Sequence, residues 1–111
     1  QCEWFGLEGL SKIVHVIELI RDSGSKVQLE GILMTMFDGR TNLSRDVVAE
    51  VEKFFPEQLY RAIIPRTIRL GEAPSHGKTI YEHDPRGSGA KAYGNFTDEF
   101  LARKATEPVG L

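Results

Sequence analysis

The chain has 111 residues, of which 41% are hydrophobic and 27% charged. This is the mix of one small folded domain with an ordinary polar surface. A net charge of −2 excludes polyanion binding by bulk charge, so any nucleic-acid contact needs a local basic cluster. No apolar run reaches the roughly 18 residues of a membrane span, and nothing at the start reads as a signal peptide. The single cysteine, Cys2, rules out an internal disulfide framework and favours a reducing, cytosolic setting.

Gln1 to Gly6 is short and aromatic, and Trp4 and Phe5 read as the continuation of a preceding segment. Leu7, Leu10, Ile13, Val14, Ile17 and Ile20 then recur at steps of three and four, which predicts a helix closed near Gly24. Glu8, Lys12, His15, Glu18 and Arg21 fall on its polar side. Val27–Glu30 alternates, and the apolar run Ile32–Phe37 reads as a strand buried on both faces, with Met34 and Met36 as core filler. After the polar loop Asp38–Asn42, a second helix is expected. Ser44 would cap it, and Leu43 and Val48 would staple its start. Val47, Val48, Val51, Phe54 and Phe55 would form its buried stripe, and Pro56 would stop it. Leu59–Ile64 is the second predicted strand.

Strand, helix, strand is the pattern of a right-handed parallel unit. Both strands of such a unit end at one edge of the sheet, where open α/β sheets bind ligands. The Asp38–Asn42 loop and the long Pro65–Lys78 segment therefore share a rim, on which Arg40, Arg66, Arg69, His76 and Lys78 can gather. The latter segment is expected to be a stiff loop, because Ile64-Pro65 and Ala73-Pro74 restrict its backbone. Thr79–Gly89 reads as irregular, with a turn at Asp84-Pro85-Arg86-Gly87. A last helix to Arg103 would turn Tyr93, Phe96, Phe100 and Leu101 inwards. Residues 1–103 thus form one unit and 104–111 a tail. Two strands are few for a parallel sheet, so the chain reads as part of a larger α/β domain. An alternative is a non-catalytic module that self-associates through exposed sheet surface and an unpaired edge.

The sequence lacks Gly-x-x-x-x-Gly-Lys-Ser/Thr, Gly-x-Gly-x-x-Gly and Gly-x-Ser-x-Gly. Ser75-His76 beside Glu72 is too local for a triad, which needs spatial geometry and an oxyanion hole, so no catalytic residue is expected. His15, His76 and His83 lack metal-ligand spacing and cysteine partners, so no metal site is expected either. Arg40 and Arg69 suit phosphate contact. The rigid backbone at Pro65-Arg66 suits the wall of a flat pocket for a base.

Several ordered motifs carry a resemblance that covers the chain to about Arg103. They are Gln1-Cys2-Glu3, Leu7-Glu8-Gly9-Leu10, Met34-Thr35-Met36-Phe37-Asp38 running into Arg40-Thr41-Asn42-Leu43, Ile64-Pro65-Arg66, Arg69-Leu70, and Glu72-Ala73-Pro74-Ser75-His76-Gly77-Lys78. Together they closely resemble the C-terminal half of the ParA/Soj chromosome-partitioning ATPases, within the MinD-like, deviant Walker A branch of P-loop proteins. The resemblance implies the C-terminal portion of a mostly parallel P-loop NTPase-like sheet flanked by helices, incomplete as a stand-alone domain. It implies a parent that binds ATP and Mg²⁺, forms a homodimer, binds DNA non-specifically and answers to a ParB-type partner in the cytoplasm at the nucleoid. It implies that Thr35, Met36, Pro65, Arg66, Thr67 and Glu72 lie on the adenine side of the nucleotide, and that Arg40 and Arg69 contact DNA. It also places Gln1 and Glu3 near the dimer interface. The phosphate loop and the Mg²⁺-associated aspartates belong to the other half, so this chain alone should not hydrolyse ATP. Thr67, Gly71 and Thr79 depart from the family's usual asparagine, serine and proline, and the last two should loosen the loop. A MinD-like division-site ATPase remains an alternative, but Lys104–Pro108 is short and broken by proline, unlike a basic membrane helix.

Overall fold

Two parallel strands form the centre of the fold. The computed structural model describes residues 1–106, apart from the side chain of Trp4. Helix α1 (Trp4–Asp22) leads to strand β1 (Ile32–Phe37), helix α2 (Asn42–Phe54) and strand β2 (Leu59–Pro65). Short helix α3 (Ile68–Glu72), a 3₁₀ turn (Ala73–His76), short helix α4 (Ile80–His83) and helix α5 (Ser88–Ala105) follow. The predicted parallel unit is present, with α2 as its crossover: Ile32 pairs with Leu59, Met34 with Ile63 and Phe37 with Pro65. This is a mixed α/β fragment whose two-stranded sheet is flanked by helices.

The apolar run of β1 and the inward stripe of α2 bury the same core. Met34, Val47 and Val51 meet Cys2 there, each 2–3% exposed. Leu7 and Leu10 of α1 pack on the edge of this cluster. On the other side, α5 covers β2. Tyr60 is 5% exposed, with Phe96 edge-on at 4.9 Å and the Arg103 guanidinium 4.0 Å from its ring centre. Gly31 is required by this packing, since a Cβ there would lie 2.4 Å from the Tyr60 ring.

The ladder is irregular between Leu59 and Ile63, where four residue steps of β2 face two of β1. A bulge of this kind leaves backbone groups out of the ladder, and α5 takes them up. The Glu99 carboxylate accepts from the N–H groups of Arg61 and Ala62, each at 2.8 Å. Arg103 donates to the carbonyl of Leu59 at 2.7 Å and adds a second bond, at 3.1 Å, to the carbonyl of Gln58, which already accepts from the Ile32 N–H. No helix among the described residues is long and apolar enough to cross a membrane.

Several local expectations are corrected. The cap of α2 is Thr41, whose hydroxyl accepts from the Ser44 N–H. Ser44 lies one turn inside, where its buried hydroxyl accepts from the Asp38 N–H at 3.1 Å. Leu43 is exposed, so it makes no staple, and Phe54 and Leu101 face solvent instead of the core. The supposed loop Pro65–Lys78 is mostly helical. Thr67 caps α3, and Pro74 falls in the first turn of the 3₁₀ segment, where its missing N–H costs nothing. Gly77, at φ 63°, ends that segment in the left-handed conformation. Thr79 tightens its surroundings instead of loosening them. Its hydroxyl accepts from the Glu82 N–H, and Glu82 accepts from the Thr79 N–H, a reciprocal cap that starts α4. Helix α5 runs two residues beyond Arg103 to Ala105, and the rest of the expected tail, 107–111, lies outside the described residues.

Candidate functional site

The carboxyl ends of β1 and β2 are tied together, with the Arg66 N–H donating to the Phe37 carbonyl at 2.9 Å. Next to this tie lies a surface hollow of about 430 Å³. Five of the six residues expected beside a base line it: Thr35, Met36, Pro65, Arg66 and Thr67. Ile64 from β2, Leu70 and Gly71 from α3, and Tyr93 from α5 complete its walls. The sixth residue, Glu72, is not among them. It stands at the end of α3, where its Oε1 faces Arg69 Nη1 at 3.8 Å and its Oε2 faces His83 Nε2 at 4.0 Å.

Met36 is the only non-glycine residue with positive φ among the described residues, at 56°. A left-handed conformation costs a bulky side chain roughly 1–2 kcal/mol. It persists here within the second register break of the ladder, between Met34 and Phe37, in the lining of the hollow. Strain held at a strand end is a mark of a functional position. The hydroxyl of Thr67 is committed to the Leu70 N–H at 3.1 Å.

Each arginine of the rim has a carboxylate partner. Asp38 holds Arg40 in a fork, with Nε to Oδ1 and Nη2 to Oδ2 both at 3.0 Å. The Arg40 backbone N–H donates to the same carboxylate at 3.1 Å. These bonds, led by the guanidinium, hold the Asp38 carboxyl down from 3.8 to about 2. Arg66 Nη1 lies 3.7 Å from Glu3 Oε1, and its charge also acts on Asp38. Arg40 and Arg66 are therefore electrostatic neighbours through Asp38, whereas Arg69 pairs on α3 with Glu72. All three guanidinium side chains are more than half exposed. Sequence reasoning named the arginines but missed Asp38, the residue that sets what Arg40 can do. Its spacing of two from Arg40 was the available signal, since an Asp that bonds the backbone two residues on is a common turn device.

The histidines also depart from expectation. His76 and His83 stack at 5.0 Å between ring centres, and Glu72 completes a group whose ligand atoms all lie within 4.8 Å of one another. Sequence spacing hid this because α4 folds His83 back onto the 3₁₀ turn.

A parallel βαβ unit with a hollow beyond its strand ends has the layout of an open α/β sheet, consistent with a partial P-loop NTPase-like fragment. No family model matches the chain. Individual relatives do. The sporulation initiation inhibitor protein Soj of Bacillus subtilis is 45% identical over 103 residues, covering 92% of this chain and 41% of that protein. The chromosome partitioning protein ParA of Myxococcus xanthus is 41% identical over 93% of this chain and 37% of its own length. The chromosome-partitioning ATPase Soj of Thermus thermophilus is 42% identical over 93% of this chain and 42% of its own length. The chain matches a fragment of a ParA/Soj-type chromosome-partitioning protein, and it spans about two-fifths of the length of these relatives.

Proposed function

We propose that this chain supplies the base-binding and DNA-facing part of a chromosome- or plasmid-partitioning ATPase. The carrying observation is the hollow at the strand ends. Five residues from two separate segments converge on it, and its volume is in the range of pockets that take small ligands. Its composition fits a planar purine. Pro65 offers a rigid edge, Met36 a polarizable thioether held in place by its unusual backbone, and Arg66 and Thr67 polar backbone groups at the rim. Glu72 acts from outside the hollow by positioning Arg69 on α3. ATP would supply the phosphoryl bond whose cleavage resets the assembly. The residues that hold its phosphates and Mg²⁺ would come from the remainder of such a protein.

In this reading the exposed guanidinium groups of Arg40 and Arg69 meet DNA phosphates, which gives salt-sensitive binding without base readout. The working unit is a homodimer on nucleoid DNA in the cytoplasm, with a ParB-type partner stimulating hydrolysis.

The test is a titration of the isotopically labelled chain with AMP at millimolar concentration, read by amide NMR. We expect shifts concentrated at Thr35, Met36, Arg66, Thr67 and Gly71, with little change on the exposed half of α1. Saturation of shifts elsewhere, or none around the hollow, would falsify the assignment of the base site.

A further inference from the structure

We propose that Glu72, His76 and His83 form a binding site for a divalent transition metal of the zinc type, at the corner where α3, the 3₁₀ turn and α4 meet. The inference is independent of the nucleotide reading, since none of the three residues lines the hollow.

The first observation is an orphaned nitrogen. His83 is only 12% exposed at its side chain, and its Nε2 is buried with no hydrogen-bond partner. Folded proteins rarely leave such an atom unpaired, and each instance calls for a partner such as an ion or water. The second observation is what this nitrogen faces. Glu72 Oε2 lies 4.0 Å away, too far for a hydrogen bond. The His76 ring stacks on the His83 ring at 5.0 Å with an interplanar angle of 19°, and one ligand atom from each of the three falls within 4.8 Å of the others.

A tetrahedral zinc with bonds of about 2.0–2.2 Å holds its ligand atoms about 3.4 Å apart. The Glu72–His83 pair needs little closure to reach that distance. The remaining adjustment falls to His76, whose side chain is exposed and free to turn. Two imidazoles and one carboxylate favour zinc, cobalt or nickel over calcium or magnesium, which prefer all-oxygen shells. The exposed side leaves room for water at the open positions.

The backbone around the group is fixed before any metal arrives. Glu72 and His76 stand four residues apart on a continuous helical path. Gly77 turns the chain, and the reciprocal Thr79–Glu82 cap sets the start of α4 that carries His83. Arg69 pairs with the other Glu72 oxygen, which leaves Oε2 directed at His83 and plays the orienting part of an outer-shell partner.

The experiment uses the chain without a polyhistidine tag, stripped with chelator. Zn²⁺ is titrated by calorimetry, and Co²⁺ is titrated by visible absorption. We expect one ion per chain, and cobalt bands of a site with at least one imidazole ligand. Glu72→Gln, His76→Ala and His83→Phe should each weaken binding by about tenfold or more, since even outer-shell changes cost that much. His15→Ala, far along α1, should leave it unchanged. Absence of stoichiometric binding overturns the proposal. So does binding undiminished in His76→Ala, whose exposed side chain can be removed without disturbing the fold.

Discussion

Replacing Glu99 by alanine tests whether α5 holds β2 by side-chain chemistry and not by apolar contact alone. The carboxylate accepts two backbone N–H groups at 2.8 Å and sits 3.3 Å from Arg103 Nη2. A hydrogen bond to a charged group is worth about 1.5–3 kcal/mol. The Arg61 N–H lies in an exposed stretch and regains water when Glu99 is lost, so its share is small. The Ala62 N–H is partly buried and keeps most of its cost. The Arg103 pair, with side chains 33% and 22% exposed, adds about 0–1 kcal/mol, and alanine returns a few tenths through its helix propensity. The net loss is about 2–4 kcal/mol, a large fraction of the 5–15 kcal/mol typical of a domain. At about 4–8 °C per kcal/mol for a small domain, the midpoint should fall by about 8–32 °C.

The assay is thermal unfolding followed by circular dichroism at one protein concentration, so that any association is held constant. Hydrogen exchange at Arg61 and Ala62 gives the local readout. Both amides should lose protection in Glu99→Ala even under conditions where the rest of β2 keeps it. Glu99→Gln should fall in between, because an amide keeps one acceptor but turns a donor towards the second N–H. A midpoint within about 2 °C of the parent, with both amides still protected, refutes the account and leaves the attachment to the aromatic contacts of Tyr60 and the bonds of Arg103.

Two further outcomes follow from the rim. Asp38 has its carboxyl held at about 2 in the folded chain against 3.8 unperturbed. The stability this contributes is complete above about pH 4 and is lost as the pH falls towards 2. Denaturant midpoints should therefore drop more steeply over that window in the parent than in Asp38→Asn, and parallel curves would remove the Arg40 fork as a stabilising element. The second concerns DNA, measured on a chimera in which this chain replaces the matching portion of Bacillus subtilis Soj. Arg40→Glu and Arg69→Glu should each weaken binding and lower the salt slope by about 1. Asp38→Asn, which frees Arg40, should strengthen it. Unchanged affinity and slope in both arginine variants would end the DNA assignment.

The parallel unit was legible because its signals are local and strong. An unbroken apolar run at Ile32–Phe37 and a second at Leu59–Ile64 flank an amphipathic segment, and topology then forces both strand ends to one rim. The shared rim was legible by the same logic, and Pro65-Arg66 read as a wall for a base, whereas Thr35, Met36 and Thr67 were implied only by the resemblance to the ParA/Soj proteins. What escaped reading was set by tertiary competition. Ser44 has the chemistry of a cap, yet Thr41 takes that place because Ser44 is needed in the core by Asp38. The helix α3 has five residues, too short for a periodic signal, and prolines that suggest a loop are equally at home in a first turn. Glu99 looks like any helix-surface carboxylate until the bulge in β2 brings two amides to it.

Helix α1 shows where the sequence asks for more structure than these residues provide. Its inner stripe, Leu7 and Leu10, reaches the core. A second stripe, Phe5, Ile13, Val16 and Ile20, is left 42–79% exposed. Full burial of a large apolar side chain is worth about 1.5–3 kcal/mol. Four such residues, a little under half buried, forgo about 3–7 kcal/mol, comparable to the whole stability of a small domain. The outer side of β1 points the same way, since the Cys2 N–H already donates to the Thr35 carbonyl there at 2.9 Å, as a neighbouring strand would. A helix with two apolar faces belongs between two layers, and this chain builds only one of them. That deficit matches the two-fifths of their length over which the Soj and ParA relatives are covered. It also predicts the behaviour of the chain in isolation. With the second layer missing, the α1 stripe is the surface through which two copies should meet, and Ile13→Lys with Val16→Lys should lower any association seen by sedimentation without loss of helix content.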